Sequence, residues 1–169
     1  MPLQAPFNLH RWVEENRHLL RPPVGNACLW NGGFLVMVVG GPNQRTDYHV
    51  NPAEELFYQL EGDIVLKVMD DGTPRDIPIR QGEIFLLPAK VPHSPRRPAN
   101  TVGLVVEQPR ASAEEHHLRW YCPKCQAVVH DVTFRPEGDI GQQIKAALDQ
   151  FRADEALRAC KACGAVHPV

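Results

Sequence analysis

Between Ala27 and Gln108 the apolar positions fall into short β-prone runs: Phe34–Val39, Leu56–Leu60, Ile64–Met69, Ile77–Ile79, Ile84–Leu87 and Thr101–Val106. GG, EGD, DDG, QG and PAKVP separate them, and such Gly, Pro and Asp clusters mark tight turns. Asp71-Gly72, between Ile64–Met69 and Arg75–Ile79, predicts a hairpin. Within Ile64–Val68 the larger aliphatics alternate with Val65 and Lys67, the period-two pattern of a half-buried strand. Many short strands with few helices between them predict a small antiparallel sandwich or barrel. Ahead of them, Asn8 is placed to cap a helix with Leu9, Trp12, Val13, Leu19 and Leu20 near one face and Pro22-Pro23 as its stop. After them, polar Pro109–Glu115 predicts a boundary, so that residues 1–110 form the β unit with its helix and residues 111–169 a C-terminal segment. That segment holds Trp120-Tyr121, a strand-like Ala127–Val132, and a helix in which Ile140, Ile144, Leu148 and Phe151 make a packing face.

Composition narrows the function classes. The chain has 169 residues, 43% hydrophobic and 22% charged, an ordinary globular balance. Its 18 Lys+Arg against 20 Asp+Glu give a formal charge of −2, which argues against a nucleic-acid partner. The longest apolar run, Phe34–Val39, is far short of a membrane span, and MPLQAPFNLHRW lacks the apolar stretch of a secretory signal. No membrane association and a cytoplasmic location are therefore expected.

The most informative chemistry lies in two segments, G41-PNQRT-D47-Y-H49-VNPAE-E55-LFYQLE-G62 and G82-EIFLL-P88-AKVP-H93-SPR-R97. His49 reads as lying on a strand, Glu54 and Glu55 as opening the next, and His93 as following the turn after another. Two imidazoles and one carboxylate from neighbouring strands make a facial triad, which leaves three positions open on an octahedral metal, as in non-haem Fe(II) oxygenases. Any one of the eight histidines has many ordinary roles. The spacing changes that judgement, because both segments resemble the cupin signatures G-x5-H-x-H-x3,4-E-x6-G and G-x5-P-x-G-x2-H-x3-N. The resemblance implies a mainly β fold: a cupin-type antiparallel β-barrel (jelly-roll-like) with an N-terminal helix. Three positions depart from it: Asp47 stands for the first His, Lys90 for a Gly and Arg97 for the Asn. Glu54 fits the nominal His-to-Glu spacing, but six residues separate Glu55 from Gly62, so Glu55 is the expected ligand. Asp47 is expected to accept a hydrogen bond from a ligand imidazole.

Arg45 and Arg97 flank these ligands, and if both side chains reach the barrel mouth they call for an anionic partner such as a carboxylate; the commoner fate of arginine is the surface. Glu107 ends a run that otherwise reads as core, where it can pair with an arginine or accept a proton. RTDYH-x5-E, the HSPRRP segment, PPVGN at Pro22–Asn26 and the terminal CxxC pairs resemble the bacterial 3-hydroxyanthranilate 3,4-dioxygenase family, from APFNLHRW to the last CxxC. That resemblance implies an Fe(II) extradiol-type enzyme of tryptophan degradation. Such an enzyme inserts both atoms of O2 into 3-hydroxyanthranilate, giving 2-amino-3-carboxymuconate semialdehyde, which closes to quinolinate, a precursor of NAD. It also implies His49, Glu55 and His93 as iron ligands, Arg45 at the dioxygen site, Arg97, Glu107 and Glu55 as substrate-binding residues, Arg45 and Glu107 as catalytic groups, and a homodimer. The Pro22–Asn26 loop is a candidate lid.

Cys122-Pro-Lys-Cys125 and Cys160-Lys-Ala-Cys163 form two knuckles whose four thiolates can close a tetrahedral site. A redox disulfide within each CxxC and a zinc ribbon on nucleic acid are the other readings; the surrounding acidic residues oppose the latter. Ligand softness leaves Fe and Zn open; the resemblance implies a rubredoxin-like second Fe that holds the C-terminal segment together. His116, His117, His130 and His167 are alternative ligands there. The fifth cysteine, Cys28, reads as a buried small hydrophobe. A non-catalytic cupin binding or regulatory module, and another cupin metalloenzyme, are the competing functional readings.

Overall fold

The computed structural model describes residues 3, 5–21, 25–108, 114–135 and 140–169, with residue 140 by backbone only. The Pro22-Pro23 helix stop, most of the Pro22–Asn26 loop and most of the Pro109–Glu115 boundary lie outside these residues. The chain opens with helix α1 (Leu9–Glu15), capped as expected by the Asn8 side chain, which accepts from the Arg11 N–H. The single helix expected up to Pro22 is in fact two pieces. Asn16 breaks it, and a 3-10 turn (Arg17–Leu20) follows, so Val13 and Leu20 reach the same core from separate elements.

Eleven strands follow among the described residues: β1 (Asn26–Asn31), β2 (Leu35–Gly40), β3 (Tyr48–Val50), β4 (Glu55–Glu61), β5 (Ile64–Asp70), β6 (Thr73–Ile79), β7 (Ile84–Leu87), β8 (His93–Arg96), β9 (Val102–Glu107), β10 (His116–Tyr121) and β11 (Val128–Phe134). Helices α2 (Ile140–Ala153) and α3 (Glu155–Arg158) complete the chain. Every pairing is antiparallel, in a sheet ordered β1-β2-β9-β4-β7 and another ordered β11-β10-β3-β8-β5-β6. This is the mainly β, cupin-type barrel that the sequence implies, with the hairpin at Asp71-Gly72 (both φ positive, as its tight turn requires) joining β5 to β6.

Period-two alternation decides what enters the barrel. On β4, Glu55, Phe57 and Gln59 are buried while Leu56 and Tyr58 point outward; on β5, Ile64, Leu66 and Val68 face in. One end of the interior is thereby filled with Phe57, Ile64, Leu66, Val68, Ile79, Leu87 and Val105. The other end receives the polar residues described below. A second core, Val13, Leu20, Val38, Leu60 and Val102, lies under α1 on the outer face of the first sheet.

The C-terminal segment is tied to the barrel through β10, which pairs with β3. Its own core is Leu118, Trp120, Cys122, Val129, Leu148, Phe151 and Cys160. Trp120 is fully buried and stacks on Phe151 at 4.2 Å, while its indole N–H donates to Thr46 Oγ1 at 3.3 Å, in the loop before β3. Among the described residues no helix is long and apolar enough to cross a membrane. Trp120→Ala removes this stack, and we expect it to lower the unfolding free energy by about 3–5 kcal/mol in a urea titration.

Candidate metal centre and active-site cavity

Two register pairs build the site. On one sheet His49 of β3 lies opposite His93 of β8; on the other Glu55 of β4 lies opposite Glu107 of β9. The sheets face one another, so one donor atom each from His49, Glu55 and His93 comes within 4.8 Å of the others, in a buried cluster able to hold a metal ion. His93 Nε2 is 3.3 Å and His49 Nδ1 3.6 Å from Glu55 Oε1. Two nitrogens and a carboxylate oxygen suit a divalent transition metal with open positions. Glu54 is not part of this group: its carboxylate meets the exposed Gln108 side chain.

Burial alone would raise the Glu55 carboxyl, but His93, His49 and the Asn51 amide together pull it well below the usual carboxylate range. His49 is pushed down by burial more than Glu55 lifts it, and is neutral. For His93, burial is outweighed by the Glu55 carboxylate and by the Val91 carbonyl 3.0 Å from Nδ1, and its value rises. Both orientations suit metal ligation, with one ring nitrogen held by a neighbour and the other aimed at the carboxylate.

The four cysteines also converge. Their sulfurs lie within 4.8 Å of one another, with Cys122–Cys163 and Cys125–Cys160 both at 3.6 Å. Metal–sulfur bonds of about 2.3 Å in a tetrahedron put sulfurs about 3.8 Å apart, so the four fit one ion. The Cys125 backbone N–H, helped by that of Lys124, outweighs burial and lowers the Cys122 thiol to about 6. No histidine is needed. His116 in particular lies not here but against His49, with Nδ1 3.0 Å from His49 Nε2 and the rings stacked at 5.2 Å.

A cavity of about 640 Å3 opens over the His/Glu cluster, lined by Arg45, His49, Glu55, His93, Arg97 and Glu107 among others. Met37, Val39, Phe57 and Val105 give it apolar walls, and Gly141 and Ile144 of α2 contribute from the C-terminal segment. Cys28 lines it as well, and is exposed rather than buried: it sits on β1, an edge strand, and its thiol donates to the Trp30 carbonyl.

The two arginines differ in what holds them. Arg45 grips fully buried Asp47 through two nitrogens, Nε at 3.0 Å and Nη2 in a second, shorter bond. Asp47 is therefore the counter-ion of Arg45, not the expected acceptor for a ligand imidazole. The guanidinium fork takes both carboxylate oxygens, a better match than one ring N–H. Burial would raise Asp47, yet Arg45 lowers it below 3.8. Arg97 is 3% exposed and has no carboxylate partner among the described residues: Nη1 donates to Gln59 Oε1 at 3.3 Å and Nε is unsatisfied. Burial lowers it to about 10, so it remains a cation at neutral pH. A cation this deeply buried requires an anion.

Two site residues escape the motifs: Asn51, between the carboxylates of Glu55 and Glu107, and Gln59, beneath Arg97. Asn51 has the parity of His49 and Gln59 that of Glu55, so continued alternation was the available signal. Lys90, in the place of a signature Gly, has φ +66°, the conformation for which Gly is usual there.

The 3-hydroxyanthranilic acid dioxygenase family matches residues 1–152. A 3-hydroxyanthranilate 3,4-dioxygenase of Xanthomonas campestris pv. campestris is 55% identical over 98% of this chain and 94% of its own length. Proteins of the same name from Neurospora crassa and Yarrowia lipolytica are 54% and 55% identical, over 96% and 97% of this chain and 89% and 96% of theirs. Among solved structures, protein NMB1881 from Neisseria meningitidis is similar at a TM-score of 0.48 and 20% identity, covering 62% of this chain and 99% of that one. A cupin-2 domain protein from Shewanella frigidimarina gives 0.46 and 16%, over 57% and 91%.

Asp47→Asn keeps the shape but leaves Arg45 without its charge partner. Removing one member of a buried pair costs about 3–5 kcal/mol; with 25% of the Arg45 side chain exposed we expect about 2–3. Because the folded value of Asp47 is depressed, its contribution is complete above 3.8 and fades as pH falls through the lower folded value. Urea unfolding at neutral pH should separate wild type from variant, and the gap should narrow in acid below about pH 4.

Proposed function

Because the chain belongs to the 3-hydroxyanthranilic acid dioxygenase family, we propose that its cavity cleaves the ring of 3-hydroxyanthranilate with O2. The product is 2-amino-3-carboxymuconate semialdehyde, which leads to quinolinate in tryptophan degradation. His49, Glu55 and His93 hold the catalytic metal, which we take to be Fe(II). When bound, that ion supplies open positions for the adjacent hydroxyl and amino groups and a path for ring electrons to O2.

The chain's own groups do the rest. Arg97 receives the substrate carboxylate in a two-pronged contact and so fixes which ring edge faces the metal ligands. The observation that carries this reading is its buried guanidinium, without a carboxylate partner among the described residues, in the same cavity as the His/Glu cluster. Glu107, on the cavity wall, hydrogen-bonds the amino or hydroxyl group and takes up the hydroxyl proton. Arg45 keeps its charge beside Asp47 and stabilises the negative charge that develops on dioxygen as it accepts electrons. Met37, Val39, Phe57 and Val105 pack against the ring and exclude water. A non-catalytic binding module gives these two arginines and Glu107 no common partner.

The cysteine site takes a second metal, Fe or Zn, which organises residues 111–169 as a C-terminal segment whose β10 and β11 extend the second sheet of the barrel. Four reduced thiols call for a reducing compartment and support a cytoplasmic location. We also hold the protein to be a homodimer. Phe34, Ile84 and Leu86, 56%, 65% and 52% exposed, support a second copy as their cover.

The test is anaerobic loading with Fe(II), then 3-hydroxyanthranilate in air with near-UV absorbance and O2 uptake recorded together. One-to-one uptake, lost in His49→Ala, is expected; no uptake by metallated protein overturns the substrate assignment. Arg97→Ala should lower kcat/KM by about 30-fold or more, mainly through KM, since an unpaired buried contact is worth about 2 kcal/mol or more. Metal analysis should give two ions per chain in the wild type and one in Cys160→Ser, with the iron of the His/Glu site retained.

A further inference from the structure

Asn51 follows β3 directly and is 2% exposed. Its oxygen accepts the Ala53 backbone N–H at 3.0 Å, a local turn that fixes which end of the amide points where. The NH2 is thereby turned into the site and donates to Glu55 Oε1 at 2.8 Å and to Glu107 Oε2 at 3.2 Å. Its carbonyl accepts from the Lys90 N–H at 2.7 Å, which anchors the same residue to the loop before β8, the strand of His93. The side-chain amide and the backbone carbonyl of Asn51 are thus committed to holding this corner.

We propose that Asn51 is a positioning residue that clamps the metal-binding carboxylate of Glu55 to the substrate-facing carboxylate of Glu107, so that metal and substrate are held in one frame. This rests on the roles given above to Glu55 and Glu107. Both carboxylates are buried, and adjacent like charges repel strongly away from water. A neutral donor with two N–H groups is the smallest group that can satisfy both, reducing that repulsion while fixing the rotation of each. Aspartate offers no such pair of donors. An aliphatic side chain offers none, and a lysine or arginine would add a cation beside the metal. Orienting groups of this kind typically change metal affinity by about 10–100-fold.

Asn51→Ser separates the clamp from the turn. The hydroxyl can still accept from the Ala53 N–H, but it is too short and has too few protons to bridge both carboxylates. Asn51→Leu removes both functions at similar volume. With the cysteine site first filled by one equivalent of Zn(II), anaerobic Fe(II) titration of Asn51→Ser should show at least tenfold weaker binding, while the metal-free variant still unfolds in a single cooperative transition. Anaerobic binding of 3-hydroxyanthranilate to the Fe(II)-loaded variant should weaken about tenfold. Combined with Glu107→Gln the loss should be less than multiplicative, because both changes weaken the same Asn51–Glu107 contact, whereas combined with Arg97→Ala it should multiply. Wild-type Fe(II) and substrate affinity in both Asn51 variants overturns the clamp, as does strict multiplication with Glu107→Gln. If Glu55→Ala binds Fe(II) as tightly as the wild type, the metal-site reading itself has failed, an outcome distinct from a failed clamp.

Discussion

A buried carboxylate between two imidazoles is the constraint on which the rest depends. Glu55 lies in a space where an isolated charge would be very costly, and it is tolerated because His49 and His93 meet it from the facing sheet. That meeting is a matter of register. His49 opposes His93 and Glu55 opposes Glu107, and a slip of one residue in any of the four strands would turn its site residue away from the barrel interior. The apolar end of the barrel, from Phe57 to Val105, holds the register that the polar end requires.

The charges around this centre form two kinds of arrangement. Arg45 and Asp47 are complete as they stand, a closed pair whose geometry owes nothing to a ligand. Arg97 is incomplete: it has a neutral partner in Gln59 and lies tight against Gly103, where an added Cβ would come within 2.9 Å of the guanidinium. The first arrangement presets a field in the cavity, and the second leaves a buried cation beside a neutral partner, which supports the carboxylate contact proposed for it. Placing both in one cavity gives a polar end with a defined orientation.

Much of this was legible in the sequence because strand period and motif spacing address the same atoms. The Gly62 register selected Glu55 over Glu54, and the structure buries Glu55 while Glu54 meets solvent. Lys90 could be matched to a signature Gly, though not the left-handed backbone it must adopt there. What stayed hidden depends on long-range pairing. His116 reads as a neighbour of the cysteines because it is near them in sequence, yet β10 crosses to β3 and lays it on His49. Asp47 reads as the partner of an imidazole because the motif has a ligand at that position, but two residues away stands a guanidinium whose fork fits better. Asn51 has no motif at all; only its parity with His49 pointed inward. Cys28 reads as buried beside Leu29-Trp30, yet β1 is an edge strand, which composition does not reveal, and the thiol is exposed.

The β3–β10 pairing also sets an order in time. β3 lies between β8 and β10, so until β10 arrives it is a sheet edge with half its backbone groups unpaired. His116 comes 67 positions after His49, and the α2 residues that wall the cavity come later still. As the chain leaves the ribosome, the metal-binding side chains are all made well before the wall that encloses them. A barrel folded before that segment is made would have its ligands open to ions in the surrounding solution; it is a closed chamber only with the final third of the polypeptide folded back along that edge.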